Sequence, residues 1–73
     1  MYSEDELAAL AKHFREKAGK SKVEASRDLG VSATTIFNAE ENPELSLTKA
    51  RIRIIEQYSP YKIAGPVYLL EKK

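Results

Sequence analysis

The sequence predicts a mainly α fold: a small bundle of four to five helices, followed by a C-terminal β-strand or short hairpin. Three observations predict it. Ser3 with Glu6 and Ser21 with Glu24 repeat a Ser-x-x-Glu capping pattern, each ahead of apolar residues at helical spacing. Gly19, Gly30, Asn42-Pro43 and Ser59-Pro60 punctuate the chain at intervals that suit short helices. The tail, PYKIAGPVYLLEKK, is β-branched and aromatic around Gly65-Pro66, which reads as extended chain with a turn.

The first helix, about 4–18, starts at the Ser3/Glu6 box. Leu7, Leu10, Ala11, Phe14 and Ala18 form its apolar stripe, and Gly19 suits the left-handed position past its end. The second, 22–29, follows the Ser21/Glu24 box and carries Val23, Ala25, Ser26 and Leu29 up to Gly30. Ser32 can cap a third helix, 33–41, with Ala33, Ile36 and Ala39 at spacing three. The connection Gly30-Val31-Ser32 is so short that the two helices must diverge sharply, with Val31 as the apolar contact at the hinge. Asn42-Pro43 breaks the third helix, since proline disfavours helical backbone in the residue before it. Ser46 is expected to cap a fourth, 47–58, with Leu47, Ala50, Ile54, Ile55 and Tyr58 on its apolar face and Ile52 off it. The tail, about 61–71, is the strand-like element. A lone strand is unstable in water, so 67–70 must pair with 61–63, with the same strand of a second copy, or with both.

Seventy-three residues make one domain, here helices over 1–59 and an extended segment over 60–73. A chain this short buries only roughly 60% of its unfolded surface. It has no cysteine and a single histidine, so neither a disulfide nor a metal is expected to staple it, and no cofactor is implied. Charge is balanced, 12 Lys and Arg against 11 Asp and Glu, but unevenly spread. Lys12, Arg15, Lys17, Lys20, Lys22 and Arg27 lie together against Glu16 and Glu24, while acid gathers at Glu4, Asp5 and Glu6 and at Glu40, Glu41 and Glu44. Such spacing fits ordinary solvated helix faces or a one-sided basic patch facing a polyanion. No apolar run approaches the ~20 residues of a membrane span. The acidic start SEDE is unlike a signal peptide, so a soluble, cytoplasmic chain without a membrane partner is expected.

Catalysis has no constellation to support it. His13 stands alone in a helix, Glu40 and Glu41 are adjacent and so point in different directions, and no glycine-rich phosphate loop exists. A non-enzyme is expected.

One constellation does assemble. Where two helices cross at a tight turn, the first needs a small residue, and Ser26 supplies it. The turn needs a residue that tolerates positive φ, and Gly30 does. Leu29, Val31 and Ile36 can bury the crossing, and Ser32 can present the first turn of the second helix outward. In register, these features favour a helix-turn-helix over an arbitrary helical hairpin.

The stretch SKVEASRDLGVSATTIFNAEEN resembles the helix-turn-helix of the phage repressor/Cro-like (XRE-type) DNA-binding proteins, and the likeness extends over about 7–58. The resemblance implies a transcriptional regulator, in the cytoplasm on the nucleoid, that binds double-stranded DNA with the 33–41 helix in the major groove. It implies base contacts by Ala33, Thr34, Phe37 and Asn38, with Asn38 able to pair with adenine and Ala33, Thr34 or Phe37 able to meet a thymine methyl. It implies phosphate contacts by Ser21, Lys22 and Ser32; with no basic residue on the third helix, further phosphate contacts are expected from Lys49 at the start of the fourth, where Ser46 and Thr48 can also present donors. Arg15 and Glu40 match a structural ion pair of such domains. Some Cro-type members dimerise through a C-terminal strand, and Val67, Tyr68, Leu69 and Leu70 resemble one.

Two departures leave alternatives open. The third helix has no Lys, Arg or Gln, although family members often place these on the groove face. Phe37 either faces DNA or packs into the core or a dimer contact. An antitoxin-like, protein-interaction module on the same scaffold, using Phe37 and the apolar tail, is the competing function. One copy offers few phosphate contacts and hence weak, salt-sensitive binding, so a homodimer on a pseudo-palindrome is the expected working form.

Overall fold

The computed structural model describes residues 2–64 and 69–72. In chain order these form α1 (Glu4–Lys17), α2 (Lys22–Leu29), α3 (Ala33–Glu41), α4 (Thr48–Tyr58), β1 (Tyr61–Ala64) and β2 (Leu69–Lys72). Among the described residues the protein is therefore four helices and one two-stranded antiparallel sheet.

Both Ser-x-x-Glu patterns close as reciprocal caps. The Ser3 hydroxyl accepts from the Glu6 N–H at 3.2 Å and the Glu6 carboxylate from the Ser3 N–H at 3.0 Å. Ser21 and Glu24 do the same at 3.1 and 2.9 Å. Each box satisfies two amides that the first helical turn would otherwise leave unpaired. α1 ends at Lys17, one residue earlier than the apolar stripe predicts, because Ala18 caps it and Gly19 leaves in the left-handed region at φ 75°. The Gly19 N–H then bonds to the Glu16 carbonyl and the Lys20 N–H to the Arg15 carbonyl, the paired closure of a Schellman turn.

Gly30 ends α2 at φ 69°, and the Gly30 and Val31 N–H groups both reach the Ser26 carbonyl. No atom lies within 4 Å of a Cβ built there, so Gly30→Ala costs only the backbone strain. It is expected to lower stability by about 1–2 kcal/mol, and Gly30→Asn by less, in urea unfolding.

The core is Leu7, Ala11, Ala25, Leu29, Ile36, Ala39, Ile54 and Ile55, with Leu10, Phe14, Val31, Leu47, Ala50 and Tyr58 packed against it. α3 enters this core through Ile36 and Ala39, both fully buried. Ser26 is buried too, and its hydroxyl donates to the Val23 carbonyl one turn back at 2.6 Å.

The start of α4 corrects an expectation. Its N-cap is Leu47, with no side-chain cap, and Ser46 is exposed one residue further out. The first helical bond runs from the Arg51 N–H to the Leu47 carbonyl, which leaves Ser46 too early to reach the free amides.

β1 and β2 pair with Tyr61 opposite Lys72, Lys62 opposite Glu71, Ile63 opposite Leu70 and Ala64 opposite Leu69. Ile63 and Leu70 turn onto the helical core, so the hairpin shares that core. The Glu56 carboxylate accepts from the Ile63 N–H at 2.9 Å, covering part of the β1 backbone from the α4 side. β2 has no second neighbour among the described residues. Val67 and Tyr68, expected to belong to a dimer strand, lie outside the described residues.

Candidate nucleic-acid interface

α3 is held from three directions. Ile36 and Ala39 anchor it in the core. From α1, Arg15 Nε donates to Glu40 Oε2 at 2.6 Å and Arg15 Nη2 to Glu40 Oε1 at 2.9 Å, a two-bond pair with both side chains almost wholly buried. Arg15 Nη1 donates to the Lys20 carbonyl at 2.6 Å, so one guanidinium joins the end of α1, the entry to α2 and the far half of α3. Hydrogen bonding to Glu40 raises the Arg15 pKa above its ordinary value, against the opposing effect of burial.

The third hold comes from Arg51, which is fully buried. Its Nε donates to the Ala39 carbonyl at 2.8 Å, Nη2 to the Asn42 carbonyl at 2.9 Å and Nη1 to Glu4 Oε1 at 2.6 Å. Ala39 needs this donor. Its helical partner would be residue 43, a proline without an N–H. Sequence reasoning did not single out Arg51, although it sits four residues after Leu47 and three and four before Ile54 and Ile55, on the apolar stripe.

What these contacts leave outward is Thr34, Phe37, Asn38 and Glu41, a single stripe at spacings three, four and seven. Thr34 is exposed, Phe37 is 49% exposed and Asn38 is half-buried; Ala33, also half-buried, opens the helix. Asn38 Oδ1 accepts from Asn42 Nδ2 at 2.9 Å, which orients the amide. Oδ1 keeps a second lone pair, and Nδ2 has two protons to donate. Glu41 is paired with Lys12 at 3.1 Å, so its charge at the edge of the stripe is countered. That bond raises the Lys12 pKa. Lys22 lies with its ammonium 5.9 Å from the Phe37 ring centroid, which brings one expected phosphate contact beside one expected base contact.

Ser21 is exposed at the start of α2, and because its oxygen accepts from Glu24, its own proton can point outward. Ser32 caps α3, accepting from the Thr35 N–H at 3.1 Å with the Thr35 hydroxyl 2.9 Å away. Ser46 and Lys49 are exposed around the start of α4. Thr48 is half-buried beside them, and its hydroxyl donates to Glu4 Oε1 at 2.9 Å.

Two other ties were not visible in the sequence. Tyr58 donates to Asp28 Oδ2 at 2.5 Å, joining α4 to α2. Burial foremost, and then the Asp28 carboxylate, push its pKa well above the ordinary tyrosine value. Arg53 donates to the Leu29 carbonyl at the end of α2.

The capping boxes make the fold acid-sensitive. The Ser21 and Ser3 backbone amides, followed by their hydroxyls, hold Glu24 and Glu6 below the ordinary carboxylate value of 4.5. The unfolded chain therefore takes up these protons first as pH falls. The stability they contribute is present above about pH 4.5 and is lost as the pH drops through their lower folded values. Glu24→Gln is expected to flatten the acid limb of a stability-against-pH curve measured by urea unfolding.

Among the described residues no group of three or more His, Cys, Asp or Glu could hold a metal ion, and no helix is long and apolar enough to cross a membrane. His13 is exposed, its ring edge-on to Phe14 at 5.2 Å. No family model, curated protein or solved structure matches the chain.

Proposed function

We propose that the chain is a sequence-specific DNA-binding transcriptional regulator of the repressor/Cro kind, acting in the cytoplasm on the nucleoid. α2 and α3 form a helix-turn-helix, and α3 enters the major groove. The observation that carries this reading is the stance of α3. Core contacts, Arg15 and Arg51 fasten one side and its C-terminal end, while Thr34, Phe37 and Asn38 stand outward. A helix fixed this firmly with an uncharged, polar-aromatic face can read base edges without rearranging.

Asn38 donates to N7 and accepts from N6 of an adenine, Thr34 bonds to a neighbouring base, and Ala33 and Phe37 complete the base-facing set. Ser21, Lys22, Ser32, Ser46 and Lys49 hold phosphates and fix the register. The lack of basic residues on α3 moves the electrostatic attraction to Lys22 and its neighbours. A homodimer pairs two such units on a pseudo-palindrome, with half-sites about 10–10.5 base pairs apart. The open side of β2, with Leu69 and Leu70 in it, is the edge available for the partner strand, although the Leu70 side chain itself lies against its own core.

Titration against a random duplex pool at low salt tests the reading. Retardation with an enriched two-half-site sequence is expected, and no retardation with no enriched sequence would overturn it. The exposure of Phe37, Val23 and Leu45 favours a second reading, a protein-interaction or antitoxin-like module, which predicts that negative result.

A further inference from the structure

The exposed Phe37 ring offers an apolar surface that an occupant of matching chemistry can bury. On the DNA-binding reading above, we propose that α3 selects 5-methylpyrimidines in the major groove, with Phe37 as the side chain that meets the methyl group. Phe37 has neither donor nor acceptor, and the C5 methyl is the apolar feature of a major-groove base edge. A thymine and a 5-methylcytosine both present that group.

Three observations point the same way. The face from Ala33 to Asn38 carries no formal charge, so the bidentate Arg or Lys contact that commonly selects guanine has no residue to make it. Phe37 is 49% exposed, so the ring has area left to bury on contact. Lys22, with its ammonium near the ring, is placed to hold a phosphate beside the base that Phe37 meets, which sets the ring's register on the groove. Asn38, one residue on and oriented by Asn42, pairs with an adenine close to that pyrimidine. The half-site is therefore a 5-methylpyrimidine close to an adenine.

The test uses the full chain and the duplex it enriches from the random pool, made in three versions. One is as selected, one has deoxyuridine for thymine in the half-sites, and one has 5-methylcytosine for cytosine there. For the wild type, uracil is expected to weaken binding about fourfold for each methyl removed, the worth of one buried carbon group. Phe37→Ala is expected to bind the thymine and uracil versions equally, and Phe37→Leu to keep part of the methyl preference. A gain of similar size on the 5-methylcytosine version, without a loss on uracil, assigns the methyl to cytosine and upholds the proposal. Wild-type affinity unchanged across all three versions overturns it. So does a Phe37→Ala variant that keeps the full thymine-over-uracil ratio. A pool that yields no enriched duplex overturns the DNA-binding reading and this proposal with it. An enriched but methyl-insensitive duplex overturns this proposal alone.

Discussion

Glu40→Ala is expected to lower the unfolding free energy by about 3–5 kcal/mol, the cost of leaving a buried guanidinium without its carboxylate. Arg15 and Glu40 are 5% and 0% exposed at their side chains, so water compensates poorly for the lost partner, and the carboxylate that remains, Glu16, lies 3.8 Å from Arg15 Nη2. For 73 residues the total stability is roughly 4–11 kcal/mol, so this one change takes a large share of it. In thermal unfolding, at about 4–8 °C per kcal/mol, the midpoint falls by at least about 12 °C. The attraction within the pair is not itself the source of that number. The double replacement Arg15→Met with Glu40→Leu removes both charges and is expected to recover most of the loss. A loss below about 1 kcal/mol for Glu40→Ala would mean that the pair is solvated and does not fasten α3.

Arg51→Met is expected to cost about 2–4 kcal/mol, mostly at the Ala39 carbonyl. Arg51→Met removes the N–H that this carbonyl accepts from, and Pro43, its helical partner position, has no N–H to replace it. The Asn42 carbonyl fares better because it also accepts from the Leu45 N–H at 3.0 Å. Glu4, only partly buried, can turn to water. Removing the cation also takes a positive charge from the C-terminal end of α3, where the helix dipole favours one. Arg51→Lys keeps the charge but not the three-way fork, so it recovers only part of the loss. Hydrogen exchange locates the damage. The amides in the last turn of α3, next to Asn38, are expected to lose protection before those of α1.

The helices were legible because their ends are local chemistry. A hydroxyl three residues before a carboxylate, a glycine after an apolar stripe and a proline after asparagine each act within one turn. The α2–α3 turn followed from the same rules. What the sequence concealed are pairings across long separations. Arg51 with Glu4, and Tyr58 with Asp28, depend on how helices cross, and no local pattern marks the partner. Ser46 misled because a cap works only from the position next to the helix, and a serine one residue early is chemically identical in sequence. The bond from the Thr48 hydroxyl to a Glu4 carboxylate 44 residues away is of the same long-range kind. Arg15 and Glu40 were matched by family resemblance, and their burial and two-bond geometry came only from the packing of α1 on α3.

The central claim is that α3 reads bases while the start of α2 holds the backbone. The ratio of affinities for the selected duplex and for a random duplex, compared between Asn38→Ala and Lys22→Ala, tests it most directly. Asn38→Ala is expected to lose about 1–3 kcal/mol on the selected duplex and almost nothing on the random one. Lys22→Ala is expected to weaken both alike and to reduce the salt slope by about one. Equal losses on the two duplexes for Asn38→Ala would contradict the claim.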